Sequence, residues 1–162
     1  LAGCAAGESA AREFGYAGAP LSGDAALDRA SELAGGLARA LMDPLRSRMA
    51  DALGEAAAIE DPDVAERVRA RYREWKTKRI EEIVADALAA AFARGLFDVL
   101  PADVPLRWIT GTTDACPDCA DNALEQTPRG GEFPTGHVAP PAHPGCRCLV
   151  VPAEFPAAAA TG

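Results

Sequence analysis

Residues 114–124 read D-A-C-P-D-C-A-D-N-A-L, and residues 140–148 read P-P-A-H-P-G-C-R-C. Between them lies a loop so rich in Gly and Pro that neither helix propensity nor burial of apolar area can order it. Cys116 and Cys119 form a C-x2-C pair, and His143, Cys146 and Cys148 supply a second cluster of soft ligands. A C-x2-C turn aims two thiolates at one point, and a second turn carrying His and Cys closes the tetrahedron that Zn²⁺ prefers. The spacing therefore predicts a structural zinc site that staples the loop. Five candidates exceed the four positions of a closed site, so Cys148 competes with His143 or Cys146 for the last of them. Three thiolates and a histidine would leave the site with a net charge of about −1. Arg147 and Arg129 are placed in sequence to offset it. Disulfide pairing of the same cysteines is the rival arrangement.

Working outward, Leu106–Thr110 is expected to be a short strand with Trp108 and Ile109 on opposite faces, and 149–151 a second strand. If the two pair, they draw the ligand clusters together. Ala120–Leu124 is expected to be one or two helical turns starting beside the thiolates, where amide dipoles favour negative sulfur.

Upstream the pattern is helical. Leu27, Ala30, Leu33, Leu37 and Leu41 recur at three- and four-residue steps, and Gly35-Gly36 weakens this helix while permitting a close crossing with another. Asp43-Pro44 resembles a helix start, which leaves either a second helix or a kinked continuation. A long helix is expected from about residue 62, with Val68, Tyr72, Trp75, Ile80, Ile83 and Ala87 on its inner face, stopped at or soon after Gly95. Arg67, Arg69, Arg71, Arg73 and Lys76 crowd its first half among interleaved glutamates. That face is either salt-bridged and solvated or a basic stripe for DNA or an acidic partner.

Residues 1–23 carry five glycines, with Phe14 and Tyr16 as the only large anchors. They are expected to form an extended arm, with a short helical turn near Glu8–Phe14. The domain plan is thus arm 1–23, helical domain 24–100, Cys/His module 104–152 and tail 153–162. The fold class is mainly α with a small β-containing, zinc-bound C-terminal module.

The net charge of −8 argues against a general nucleic-acid binder. No apolar run reaches the length of about 18–20 residues needed to cross a bilayer. Residues 1–4, L-A-G-C, have the form of a lipoprotein cleavage box without its preceding charged and apolar regions, so no membrane anchor is expected.

The order of R-W-I-T, D-x-x-C-x-x-C, a Gly-rich loop and P-P-x-H-P-x-C-R-C resembles the C-terminal part of the Mu F-like phage head morphogenesis proteins, the minor head or minor capsid proteins. The likeness is specific over residues 106–151 and loose over 43–95, where R-I-E-E-I-V-A-D-A departs from the family's pattern. It implies a non-enzymatic virion component at the portal vertex, made in the host cytoplasm and present in several copies. Its partners would be the portal protein and/or the major capsid protein, with DNA contact through Arg67, Arg69, Arg71, Arg73 and Lys76. Two alternatives come from other classes. One is a zinc-knuckle nuclease using His137 as base with Asp121 or Glu132 holding a second metal. The other is a nucleic-acid-binding zinc module, for which Arg129 and Arg147 are the only basic residues between 114 and 148.

Overall fold

A computed structural model describes residues 2–19, 21–58, 62–111 and 113–154. Five helices and a three-stranded sheet follow in the order α1 (Ala2–Glu13), α2 (Gly23–Ala58), α3 (Val64–Lys78), α4 (Ile80–Val99), β1 (Pro105–Ile109), α5 (Pro117–Asn122), β2 (Gln126–Pro128) and β3 (Leu149–Pro152). The molecule is mainly helical with a small antiparallel sheet near its C-terminus, as expected.

β1 is the middle strand. It pairs antiparallel with β2 through Leu106 opposite Thr127, and with β3 through Trp108 opposite Val150. Strand alternation places Leu106 and Trp108 in the core while Ile109 faces outward. The β1–β3 pairing matches the sequence expectation. β2 was not foreseen, because Q-T-P has neither apolar alternation nor strong strand propensity.

The core runs from α4 into the sheet: Ala93, Leu96, Val99, Leu100, Val104, Leu106, Trp108, Phe133, Val150 and three cysteines. Phe133 meets Trp108 edge to face with ring centroids 5.2 Å apart.

Residues 2–13 are not an extended arm. They form α1, which lies against α4 at close range. A Cβ at Gly7 would stand 2.1 Å from the Phe92 carbonyl oxygen, and one at Gly95 2.0 Å from that of Cys4. Gly3 and Gly7, two of the five glycines that suggested an unstructured arm, let two helix backbones touch. Phe14 and Tyr16 then pack on the core, and the Tyr16 hydroxyl donates to the Glu154 carbonyl (2.9 Å). The segment gains its order from the body of its own chain.

α2 is one helix with Pro44 inside it, so Asp43-Pro44 is a continuation and not a new start. The long helix expected from residue 62 is divided. Arg79 (φ −110°, ψ −32°) marks the break between α3 and α4 while remaining right-handed and bonded on both sides, its amide to the Trp75 carbonyl and its carbonyl to the Ile83 amide (3.0 Å each), and α4 runs on through Gly95 to Val99. Trp75 is buried as expected, but Tyr72, Val64, Leu27, Met42 and Leu53 are exposed. Their periodicity marks an apolar face that the described residues leave uncovered. Residue 61 and the tail from 155 lie outside the described residues, as does most of the expected 153–162 segment.

Candidate metal centre

The C-x2-C knuckle is built by α5. Cys116 is the N-cap in extended geometry, Pro117 occupies the first turn, and the Cys119 amide donates to Cys116 Sγ (3.4 Å). The helix spans Pro117–Asn122, three residues earlier than expected. The second knuckle is a tight turn in which the Cys146 amide donates to the His143 carbonyl (3.1 Å). Gly145 sits at φ +78°, a conformation that favours glycine. A Cβ there would also come within 2.7 Å of Glu82 Oε1.

Folding brings all five predicted ligands together in two overlapping groups that share Cys119. One is Cys116, Cys119 and His143; the other is Cys119, Cys146 and Cys148. His143 Nε2 lies 3.2 Å from Cys116 Sγ and 3.6 Å from Cys119 Sγ, and Cys119 Sγ lies 3.8 Å from Cys146 Sγ. For Zn–S near 2.3 Å and Zn–N near 2.05 Å, the edges of a tetrahedron are about 3.8 Å (S to S) and about 3.6 Å (S to N). Two of the three separations match those edges and the third is slightly short. All five cysteines are free, and 3.8 Å is nearly twice a disulfide bond length of about 2.05 Å.

The tautomer of His143 points the same way. His143 Nδ1 lies 3.0 Å from the Pro144 carbonyl oxygen, an acceptor only, so Nδ1 carries the proton. The Nε2 lone pair is thereby left toward the sulfurs, the tautomer a metal ligand requires. The Pro144 carbonyl also raises the His143 pKa, helped by Cys116. The Cys119 amide, working against desolvation, holds the Cys116 thiol below its ordinary value. Burial pushes the Cys119 thiol up, and the neighbouring sulfurs of Cys116, Cys148 and Cys146 push it further. Burial opposes ionisation of Cys148 too, but the Gly111 amide and the Trp108 indole outweigh it and lower its pKa. The buried Trp108 N–H makes no hydrogen bond of good geometry, so its effect on Cys148 is a longer-range one. Crowded thiols that cannot all ionise alone, two of them (Cys116 and Cys148) served by backbone amides, form a donor set that a cation could complete.

The sulfurs are served by backbone amides and an indole. The two arginines expected to offset their charge are engaged elsewhere. Arg129 donates to the carbonyls of Phe97 (2.8 Å) and Pro101 (3.1 Å), closing the C-terminal end of α4. Arg147 donates to the Cys146 carbonyl and lies 3.5 Å from Asp86 of α4.

Sequence reading missed Asp86 and Asn122. Both Asp86 carboxylate oxygens accept from the Gly145 amide (3.1 and 3.0 Å), which fastens the second knuckle to α4. Asn122, fully buried, accepts through Oδ1 from the amide and hydroxyl of Thr135, each at 3.0 Å. Thr135 Oγ1 in turn meets His137 Nδ1 at 2.8 Å. Nothing in the local sequence links Asp86 to a glycine 59 residues away. Asn122, one helical turn after Cys119, was legible only as a helix end.

His137 is thus part of the network that pins the loop, and it forms no ligand cluster with Asp121 or Glu132 among the described residues. On α3, Arg67 and Arg71 reach Glu55 of α2, while Arg69 and Arg73 reach Glu66. The interleaved carboxylates take up much of the expected basic stripe. No helix among the described residues is long and apolar enough to cross a membrane. Compared with known proteins, the chain matches no family model and shows no significant match to a curated protein or a solved structure.

Proposed function

We propose that the chain is a non-enzymatic assembly protein whose C-terminal module is stapled by a structural Zn²⁺, and that it serves as a phage minor head protein docking on a portal or capsid protein. The observation that carries the zinc assignment is the meeting of two ligand triads at Cys119, in which His143 Nε2 lies near a tetrahedral edge from Cys119 Sγ and Cys119 Sγ near one from Cys146 Sγ, with Nδ1 of the histidine already committed to a carbonyl. Cys148, close to Cys119 and Cys146, is the fifth donor.

A closed set of soft donors supports scaffolding over catalysis, because hydrolytic zinc needs a position open to water. Bound metal would hold the two knuckles together and so order the Gly/Pro loop. Cys119, common to both triads, would hold it with three of Cys116, His143, Cys146 and Cys148, the Cys119 and Gly111 amides would orient thiolates, and Asp86 would tie the stapled surface to α4. The phage assignment rests on the likeness of residues 106–151 to the Mu F-like pattern. The ion-paired state of Arg67, Arg69, Arg71 and Arg73 weighs against a principal role in DNA binding.

Elemental analysis of protein purified without added zinc tests the first half: about one zinc per chain, with thiols reactive only after chelation, is expected. Zinc-free protein with reactive thiols would remove the staple. For the second half, phage carrying Cys116→Ser should assemble few complete heads, and mass spectrometry of wild-type virions should detect the chain. Its absence from virions would remove the phage assignment while leaving the metal site standing.

A further inference from the structure

α2 is 36 residues long, yet Ala52 is its one fully buried hydrophobic among the described residues. Its outer face carries Leu27, Ser31, Ala34, Ala38, Met42, Leu45 and Met49 at successive steps of 4, 3, 4, 4, 3 and 4 residues. At about 100° per residue these positions form one stripe about 33 Å long. Leu27, Ser31, Ala34, Ala38 and Met42 are exposed, and Leu45 and Met49 are half-buried. Beside the stripe, nothing among the described residues comes within 4 Å of a Cβ built at Gly36, and at Gly35 only the Arg39 guanidinium does.

The order of steps reads the same from either end, with Ala38 at its centre. Turning a second copy of the helix antiparallel about Ala38 sets Leu27 against Met49, Ser31 against Leu45, and Ala34 against Met42. Small therefore meets large along the inner half of the seam, the interdigitation that close helix packing requires. Charge follows the same symmetry. Over residues 24–32, Asp24, Asp28 and Glu32 against Arg29 leave a net −2, and over 39–48, Arg39, Arg46 and Arg48 against Asp43 leave +2. Antiparallel pairing puts the acidic half of each helix on the basic half of the other, whereas parallel pairing puts like on like. Arg46, with its side chain 72% exposed, would lie between Asp28 and Glu32 of the second copy. Its present pairing with Asp43 is an exposed surface contact and a weak competitor.

We infer that the outer stripe of α2, from Leu27 to Met49, is a two-fold interface at which a second copy of this chain docks antiparallel. The surface is self-complementary in step, size and charge, as an isologous interface must be. It lies on a different element from the cysteine cluster and does not depend on the metal.

Sedimentation equilibrium of the full, zinc-supplemented chain from low micromolar to millimolar concentration tests it. Wild type is expected to dimerise. Ala38→Glu, which places two carboxylates on the two-fold axis, should weaken the dimer by at least about 100-fold, with an unchanged circular dichroism spectrum because Ala38 is exposed. Arg46→Glu alone, and Asp28→Arg with Glu32→Arg, should each weaken association by about tenfold, and the triple variant should recover it. Recovery occurs only if the first half of one helix faces the second half of the other. A monomer at every concentration, a dimer indifferent to Ala38→Glu, or a triple variant weaker than either parent would each overturn the inference.

Discussion

The C-terminal module and the α2–α3 pair are opposites. Residues 104–152 contain only a 5-residue strand, a one-and-a-half-turn helix and two shorter strands, yet they bury Trp108, Phe133, Leu106, Val150, Cys119, Cys146 and Asn122. α2 and α3 are wholly regular and bury little more than Ala52 and Trp75. A helix satisfies its backbone hydrogen bonds within itself and can stand exposed. A loop rich in Pro and Gly cannot, so its polar groups turn either to tight local turns, as the Cys146 amide does at His143, or to distant partners, as Gly145 does at Asp86 and Thr135 at Asn122. Regular structure and tight packing are thus allotted to different regions of this chain.

That contrast breaks most readily at Cys119, the ligand shared by both groups. On the proposed zinc reading, Cys119→Ser should release the metal and collapse the module, a loss on the order of 10 kcal/mol of metal-linked folding energy. Trp near-UV dichroism should fall while the helical far-UV signal largely persists. Collapse of both signals together would show that the helices depend on the module. Trp108→Ala leaves a cavity against Phe133 and should cost about 3–5 kcal/mol, read as a lowered denaturant midpoint. Gly7→Ala drives a methyl group toward the Phe92 carbonyl and should cost about 1–3 kcal/mol, with faster amide exchange confined to α1. Uniform exchange in α1 before and after the change would refute the close crossing.

A smaller effect sharpens the comparison. Asp86→Asn keeps the shape of the latch but removes the charge that strengthens the Gly145 hydrogen bond and holds Arg147, for about 1–2 kcal/mol. If the cluster holds zinc as proposed, the metal should then leave to a competing chelator several-fold faster with stoichiometry unchanged. Smallest of all, Leu53→Gln on α2 should change monomer stability by no more than about 0.5 kcal/mol, since that side chain is already half in water. A cost near 2 kcal/mol would mean that the α2–α3 pair is packed after all.

Much of the site was legible from sequence. Cys116, Cys119, His143, Cys146 and Cys148 announce themselves because ligand chemistry tolerates few residue types and short spacings. β1 and β3 were legible from apolar alternation. β2 was not, since Q-T-P gains its pairing only because β1 offers it an edge. The division at Arg79 was hidden for a related reason: the apolar periodicity runs through the break, and only the packing of α4 against α1 and the sheet differs from the surroundings of α3. Counting glycines misled at residues 1–23, where composition resembles that of an arm.

By itself, then, the sequence determined the helical identity of α2 through α4, the two strands that flank the cysteines, and the five donors. These depend on local propensity, periodicity and side-chain chemistry, which act over a few residues. Tertiary structure alone decided that Gly3, Gly7 and Gly95 are a helix crossing, that Asp86 holds the second knuckle, that Arg129 closes α4, and that the periodic apolar face of α2 remains uncovered. The first three are contacts between residues far apart in the chain and the fourth is the lack of one among the described residues; the free energy of such a contact exists only once the fold has brought the partners together.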